Sequence, residues 1–254
     1  MELETNNKLA SLYESLRSKM LPCEIAKKLF APLLMKVGDK WETDQNKILI
    51  VGQEPLGWEA KKEGIKEGIY DYSDFLERPD SVKKLMDYYY EEFCFAKSSK
   101  NKSSPFWQAF RRIAGKGIQD LTANSNVIWT NLVKSSYDVT QDDAKLKIKP
   151  VFKMSEKLRN EILAIFKGLL AEEIKILKPT KIIFFTGPYY DKILKGEFPK
   201  AEFYPYKTWK VRELANVSIE ESIRAIRTYH PGYIRRSKQR WQTIIEDEIC
   251  NDFI

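Results

Sequence analysis

Three side chains in this sequence carry the chemistry of a reaction centre, and each follows a short apolar run. Glu54 comes after Lys47-Ile48-Leu49-Ile50-Val51, inside Gly52-Gln53-Glu54-Pro55. Gly52 permits a tight exit from a strand there, and Pro55 stiffens the turn behind it. Asn131 comes after Val127-Ile128-Trp129-Thr130 and presents a donor and an acceptor to any planar, amide-like edge. His230 ends the run Ile223 to Tyr229 and opens Pro231-Gly232-Tyr233-Ile234-Arg235-Arg236, a constrained loop leading into cations. A carboxylate can stabilise a developing cation and an imidazole can donate to a developing anion. Each residue alone reads as a turn, a cap or a hydrogen-bonded loop residue. Their conjunction at three strand ends is what singles them out.

His230 is the only histidine in 254 residues, which excludes a multi-histidine metal site and any mechanism using two imidazoles. Cys23, Cys94 and Cys250 are scattered and odd in number, so free thiols in a reducing cytosol are expected, with no disulfide framework, zinc site or cofactor. No apolar run approaches the roughly 20 residues of a membrane-spanning helix. Met1 to Thr5 lacks the layout of a secretion signal. A cytoplasmic monomer without membrane or metal partners is the expectation. The net charge of +7 is unevenly placed. Phe95 to Gln119 holds Lys97, Lys100, Lys102, Arg111, Arg112 and Lys116 and no acid; Ile223 to Arg240 holds Arg224, Arg227, Arg235, Arg236, Lys238 and Arg240 and no acid. The remainder is therefore net negative. Such concentration suits a polyanion such as DNA, single- or double-stranded, as well as it suits two solvated loops.

The elements that must hold these residues follow from periodicity. Residues 5–19, 22–36, 80–93, 106–114, 154–177 and 238–251 read as helices. Residues 47–51, 127–130, 181–186 and 223–229 read as buried strands, and 201–217 as a short hairpin or irregular excursion. Alternation of the two predicts an α/β fold of three α/β/α layers around a central, mainly parallel, four-stranded sheet. One domain over 1–254 is expected, with an N-terminal helical extension over about 1–40. Functional groups in such sheets collect at the carboxyl ends of the strands.

Ile50-Val51-Gly52-Gln53-Glu54-Pro55, followed far downstream by His230-Pro231, resembles the two signature motifs of the uracil-DNA glycosylase superfamily. Classical members carry Gly-Gln-Asp-Pro-Tyr-His after the first strand and His-Pro-Ser-Pro-Leu-Ser near the C-terminus. Thr130-Asn131 resembles the position of the uracil-reading Asn, and Ser104-Pro105-Phe106-Trp107 the helix start after the base-stacking loop. The landmarks run in the family's order from residue 48 to about 240. The resemblance implies a monofunctional glycosylase acting on a base flipped out of DNA. It implies catalytic roles for Glu54, beside the attacking water and the cationic sugar, and for His230, donating to the departing base. Asn131 would read the base edge and Gln53 would line the pocket. Phe95 is the first choice for the stacking aromatic and Phe106 the second. Ile234 stands at the wedge, and Lys97, Lys100, Lys102, Arg235, Arg236 and Lys238 would grip phosphates.

The sequence also departs from the pattern. Glu54 is longer than Asp by a methylene, in a site where a shift of about 1 Å can cost about 100-fold in rate. Leu56 replaces the Tyr that excludes a thymine methyl, and Gly232 replaces a Ser. His-Pro-Gly-Tyr-Ile-Arg-Arg looks closer to the iron–sulfur branch, but three cysteines do not make that cluster. A different altered base, or a base-binding protein of the same fold without catalysis, stays open.

Overall fold

The five residues Ile48–Gly52 are all buried, as an apolar run covered on both faces must be, and they form the first strand of the sheet. The computed structural model describes residues 3–55, 72–94, 104–115, 126–138, 148–234 and 241–254. Its strands are β1 (Ile48–Gly52), β2 (Val127–Asn131), β3 (Tyr137–Asp138), β4 (Ile148–Lys149), β5 (Lys181–Phe184), β6 (Glu202–Pro205), β7 (Leu214–Ser218) and β8 (Arg224–Thr228). Its helices are α1 (Glu4–Met20), α2 (Asp39–Thr43), α3 (Tyr72–Glu77), α4 (Ser81–Tyr88), α5 (Pro105–Ile113), α6 (Glu156–Phe166), α7 (Leu169–Leu177), α8 (Asp191–Glu197), α9 (Pro231–Ile234) and α10 (Trp241–Glu248).

The α/β class and its layers are as expected, but the sheet is larger and mixed. Among the described residues it has six strands in the order β2-β1-β5-β8-β7-β6. The four expected strands pair in parallel, β1 lying between β2 and β5, and β5 between β1 and β8. β7 and β6 add antiparallel to β8, closing the sheet with a hairpin. This hairpin lies where residues 201–217 read as a short hairpin or irregular excursion; the four-strand expectation left it out of the sheet because β6 reads Glu-Phe-Tyr-Pro and is largely exposed, so it carries no buried apolar run. The pair β3-β4 stands apart from this sheet. Helices α1, α3, α4, α6 and α7 pack together as one group, and α5, α9 and α10 as another.

Two expected helices are corrected. Residues 154–177 form α6 and α7, broken where Gly168 takes φ +83°. Glu197 accepts from Gly168 N at 2.9 Å and from Leu170 N at 3.1 Å, capping the new N-terminus that the break creates. Residues 22–36 form only a 3-10 turn, Glu24–Lys28, followed by a buried extended segment. That segment pairs with the chain beyond β2, through Phe30 N to Ser136 O and Leu33 N to Lys134 O.

α1 buries Asn6, Leu9, Tyr13, Leu16 and Met20, the three- and four-residue spacing of one helix face. A buried ion pair ties this helix to the sheet. Lys134 Nζ meets Glu173 Oε2 on α7 at 2.5 Å with both side chains fully buried, and Lys134 also donates to Thr130 Oγ1 on β2. Tyr13 OH donates to Glu173 Oε1 at 3.0 Å and accepts from Met35 N at 3.1 Å. Burial pushes the Lys134 ammonium down and the Glu173 carboxyl up, and each opposes the other's shift by its charge. Among the described residues no helix is long and apolar enough to cross a membrane.

Removing one member of such a pair strands the other charge, which costs about 3–5 kcal/mol. Lys134→Met is therefore expected to lower unfolding stability by that amount in urea titrations. The Lys134→Met/Glu173→Gln double variant, which keeps an acceptor for Tyr13, should recover at least half of the loss. A double variant no more stable than the single would contradict the stranded-charge account.

Candidate functional site

The site begins where β1 and β2 end side by side. The parallel register pairs Gly52 with Asn131. A Cβ on Gly52 would lie 2.3 Å from Asn131 Oδ1 and 3.3 Å from the Phe106 ring, so only a residue without a side chain fits. Past the strands the two chains stay joined, with Leu132 N donating to Gly52 O and Val133 N to Gln53 O. Ser136 Oγ donates to Pro55 O. Gln53 Nε2 donates to Thr186 O at 2.8 Å, tying the same loop to the end of β5. The segment carrying Glu54 is thus fixed from both neighbouring strands.

The Glu54 carboxylate is held by three donors. Val151 N donates to Oε2 at 2.5 Å, Phe152 N to Oε1 at 3.4 Å, and Tyr190 OH to Oε1 at 2.6 Å. Val151 and Phe152 belong to a 3-10 turn, Val151–Lys153, and Tyr190 to a second one after β5, Pro188–Tyr190. The Tyr190 and Phe152 rings stack at 4.8 Å. Burial raises the Glu54 pKa, while these hydrogen bonds and the Lys153 charge oppose it. Burial, then the adjacent carboxylate, push the Tyr190 hydroxyl strongly upward, so it remains a donor.

His230 sits where β8 gives way to α9. Its carbonyl accepts from Tyr233 N at 2.8 Å and its Nδ1 accepts from Gly232 N at 3.1 Å. The ring therefore carries its proton on Nε2. Burial depresses its pKa to about 4, which keeps it neutral near pH 7. The imidazole lies nearly parallel to the Phe106 ring, with centroids 5.9 Å apart.

Gln53, Glu54, Phe106, Asn131 and His230 all line one cavity of about 690 Å³, inside the size range of small-molecule sites. The structure thus brings together residues separated by up to 177 positions. Asn131 is buried yet faces the cavity, and its side-chain amide makes no hydrogen bond to another described residue. Phe106, chosen second for stacking, lies against His230 in the wall. Leu56, Phe95, Lys97, Lys100, Lys102, Arg235, Arg236 and Lys238 lie outside the described residues, as does the side chain of Ile234.

Sequence reasoning missed Phe152, Lys153, Tyr189, Tyr190 and Tyr233, which also line the cavity. The strand-end rule applied to β5 points at Pro188-Tyr189-Tyr190; nothing in the sequence distinguishes Phe152 and Lys153. The basic runs need correction in part. Arg112 pairs with Glu246, Arg227 is buried against Asp191, and Arg111 is buried, so these cations serve the fold. Among the described residues no group of three or more His, Cys, Asp or Glu could hold a metal ion.

No family model matches the chain, and no curated protein sequence matches it. Among solved structures, the crystal structure of wild-type Pedobacter heparinus SMUG2 is similar, at 15% identity and a TM-score of 0.46. The match covers 84% of this chain and 76% of that one.

Two expectations follow from the geometry. Gly52→Ala forces Asn131 or the strand to move and should destabilise the fold by about 1–3 kcal/mol in denaturant titration; wild-type stability would show that the end of β2 is not confined. His230 should titrate near pH 4 by proton–carbon NMR, with the Nε2–H tautomer above that. Between that value and the ordinary 6.5, the unfolded chain binds a proton that the folded chain does not. Stability contributed by His230 is then complete above about 6.5, falls as pH drops through this window, and His230→Gln should flatten that slope. Titration at the ordinary value would contradict the burial.

Proposed function

We propose that this chain is a monofunctional DNA glycosylase that hydrolyses the N-glycosidic bond of uracil, or of a related altered base, flipped out of DNA. The observation that carries this reading is the convergence of Glu54, Asn131 and His230 on one cavity from three strand ends. The motif resemblance around Gly52-Gln53-Glu54-Pro55 and His230-Pro231 supports it.

Breaking the bond leaves an oxocarbenium-like sugar and an anionic base, so stabilisation is needed at both ends. A duplex base is out of reach until it is extruded, at a cost of a few kcal/mol. Glu54, fixed by Tyr190 and two backbone N–H groups, serves the cationic end. Its held geometry suits a fixed charge that also accepts a hydrogen bond from the attacking water. Neutral His230, with its proton on Nε2, donates to the base oxygen as negative charge develops. A protonated imidazole is not required, because a well-placed neutral donor can be worth about 3–4 kcal/mol in a dry site. The Asn131 amide reads the base edge. Gln53 has its amide nitrogen engaged with Thr186, so it lines the pocket as part of the wall.

The same contacts favour one second reading. Glu54 caps the Val151–Lys153 turn, and a carboxylate so engaged suits a pocket brace in a protein that binds an altered base without cleaving it.

A panel of oligonucleotides, each with one altered base, separates the two. Wild type should release uracil or a related base, and Glu54→Gln and His230→Ala should each lower the rate by about 100-fold or more while keeping DNA affinity. Release at the wild-type rate by both variants would remove the assigned roles. DNA binding by wild type with every lesion left intact would establish the second reading.

A further inference from the structure

Among the described residues four large apolar or aromatic side chains are markedly exposed: Leu21, Tyr189, Tyr204 and Tyr233. Two of them, Tyr189 at 54% and Tyr233 at 56%, line the cavity. They come from different elements, the 3-10 turn after β5 and the α9 turn after β8. Neither ring is loose. Arg212 donates to Tyr189 OH at 3.0 Å and lies over that ring at 5.3 Å. Tyr233 stacks on Tyr229 at 5.1 Å, and Arg212 also engages the Tyr229 side chain. Tyr189, Arg212, Tyr229 and Tyr233 therefore form one continuous row, in which each exposed ring is backed on one side by protein.

We infer that Tyr189 and Tyr233 are stacking posts for unpaired nucleobases flanking the one in the cavity, so that this mouth takes single-stranded nucleic acid. The inference rests on the glycosylase reading for what the cavity holds. Its own support is the row at the mouth. An exposed aromatic already fixed on one face loses little side-chain freedom when a flat ring lands on the rest. Stacking of bases on aromatic rings tolerates any sequence, since every base has a π-face. Bases within a duplex are stacked on one another, so their faces are withheld from such posts. Arg212 puts a cation beside the rings, where the connecting phosphates would run, and Lys153 adds a second, exposed, in the lining of the same cavity.

The test uses the full chain and undamaged oligonucleotides, with 2-aminopurine as a stacking reporter. Tyr189→Ala and Tyr233→Ala should each weaken single-strand binding about tenfold and reduce reporter quenching, with little change for duplex. Tyr189→Phe and Tyr233→Phe, which keep the ring, should restore the affinity. Tyr204→Ala, on the far edge strand β6, should change neither. Unchanged single-strand affinity in both alanine variants would overturn the posts, as would an equal loss for duplex. The lesion panel keeps the two readings apart. Weakened single-strand binding with no base released by wild type retains the posts and removes the glycosylase. Base release with unaltered single-strand binding does the reverse.

Discussion

The site depends on one close approach, the contact between the ends of β1 and β2 at a residue without a side chain. Parallel pairing carries Gly52 opposite Asn131, and a Cβ there would occupy the volume of the Asn131 amide oxygen and press on Phe106. With nothing in that volume, the amide and the aromatic ring close together over the strand ends. The backbone beyond continues the pairing for two more residues, which delivers Gln53 and Glu54 on a braced loop. The buried Lys134–Glu173 pair holds the same region from behind, because Lys134 also donates to Thr130, the residue before Asn131. Side-chain precision in the cavity is therefore inherited from main-chain pairing, the stiffest part of an α/β protein.

Low polarity then acts on the two titratable groups in opposite senses. Burial raises the Glu54 carboxyl and lowers the His230 imidazole, in each case by penalising the charged form. The structure opposes this penalty at one group only. Glu54 receives two backbone N–H donors, the Tyr190 hydroxyl and the nearby Lys153 charge, all of which favour its anion. His230 receives a single backbone N–H, on Nδ1, which supports the neutral ring. The result is a cavity whose lining holds both a braced carboxyl and an uncharged donor. A reaction that separates charge across a breaking bond would be helped by that asymmetry.

What was legible in the sequence was whatever the backbone enforces. Runs such as Ile48-Leu49-Ile50-Val51 are buried on both faces and announce parallel strands, and the groups just beyond them meet because such strands end at one level. The hairpin over 201–217 was legible as an alternative, but the joining of β6 and β7 to the main sheet and the break at Gly168 were hidden for physical reasons. An edge strand needs no apolar run, and a helix interrupted by a single positive-φ residue keeps the periodicity of an unbroken one. The extended course of Leu29 to Val37 was legible in one residue, because Pro32 has no N–H to donate and clashes inside a helix, although the apolar spacing around it suits one. The charge runs misled in part. Composition counts Arg111, Arg112 and Arg227 as surface cations, and only coordinates show that acids from Asp191 and Glu246 reach two of them and that the third is buried.

The extra methylene of Glu54 is the feature for which sequence and structure most need each other. Against a pattern built on Asp, Glu looks like a misplaced carboxylate. In the fold, its longer reach ends on the Val151–Lys153 turn and on Tyr190, whose ring packs against Phe152 of that same turn. The carboxylate is thus a junction of three elements, the β1 loop and two 3-10 turns that sequence reasoning did not connect to it. A longer side chain free in a cavity would lose the orientation that makes a fixed charge useful. Here the same length lets distant donors fix it, so the departure at position 54 and the partners at 151, 152 and 190 form a single unit. Shortening the side chain to Asp would therefore withdraw the carboxylate from those donors as well as move it, and the consequence would reach the turn that Lys153 shares.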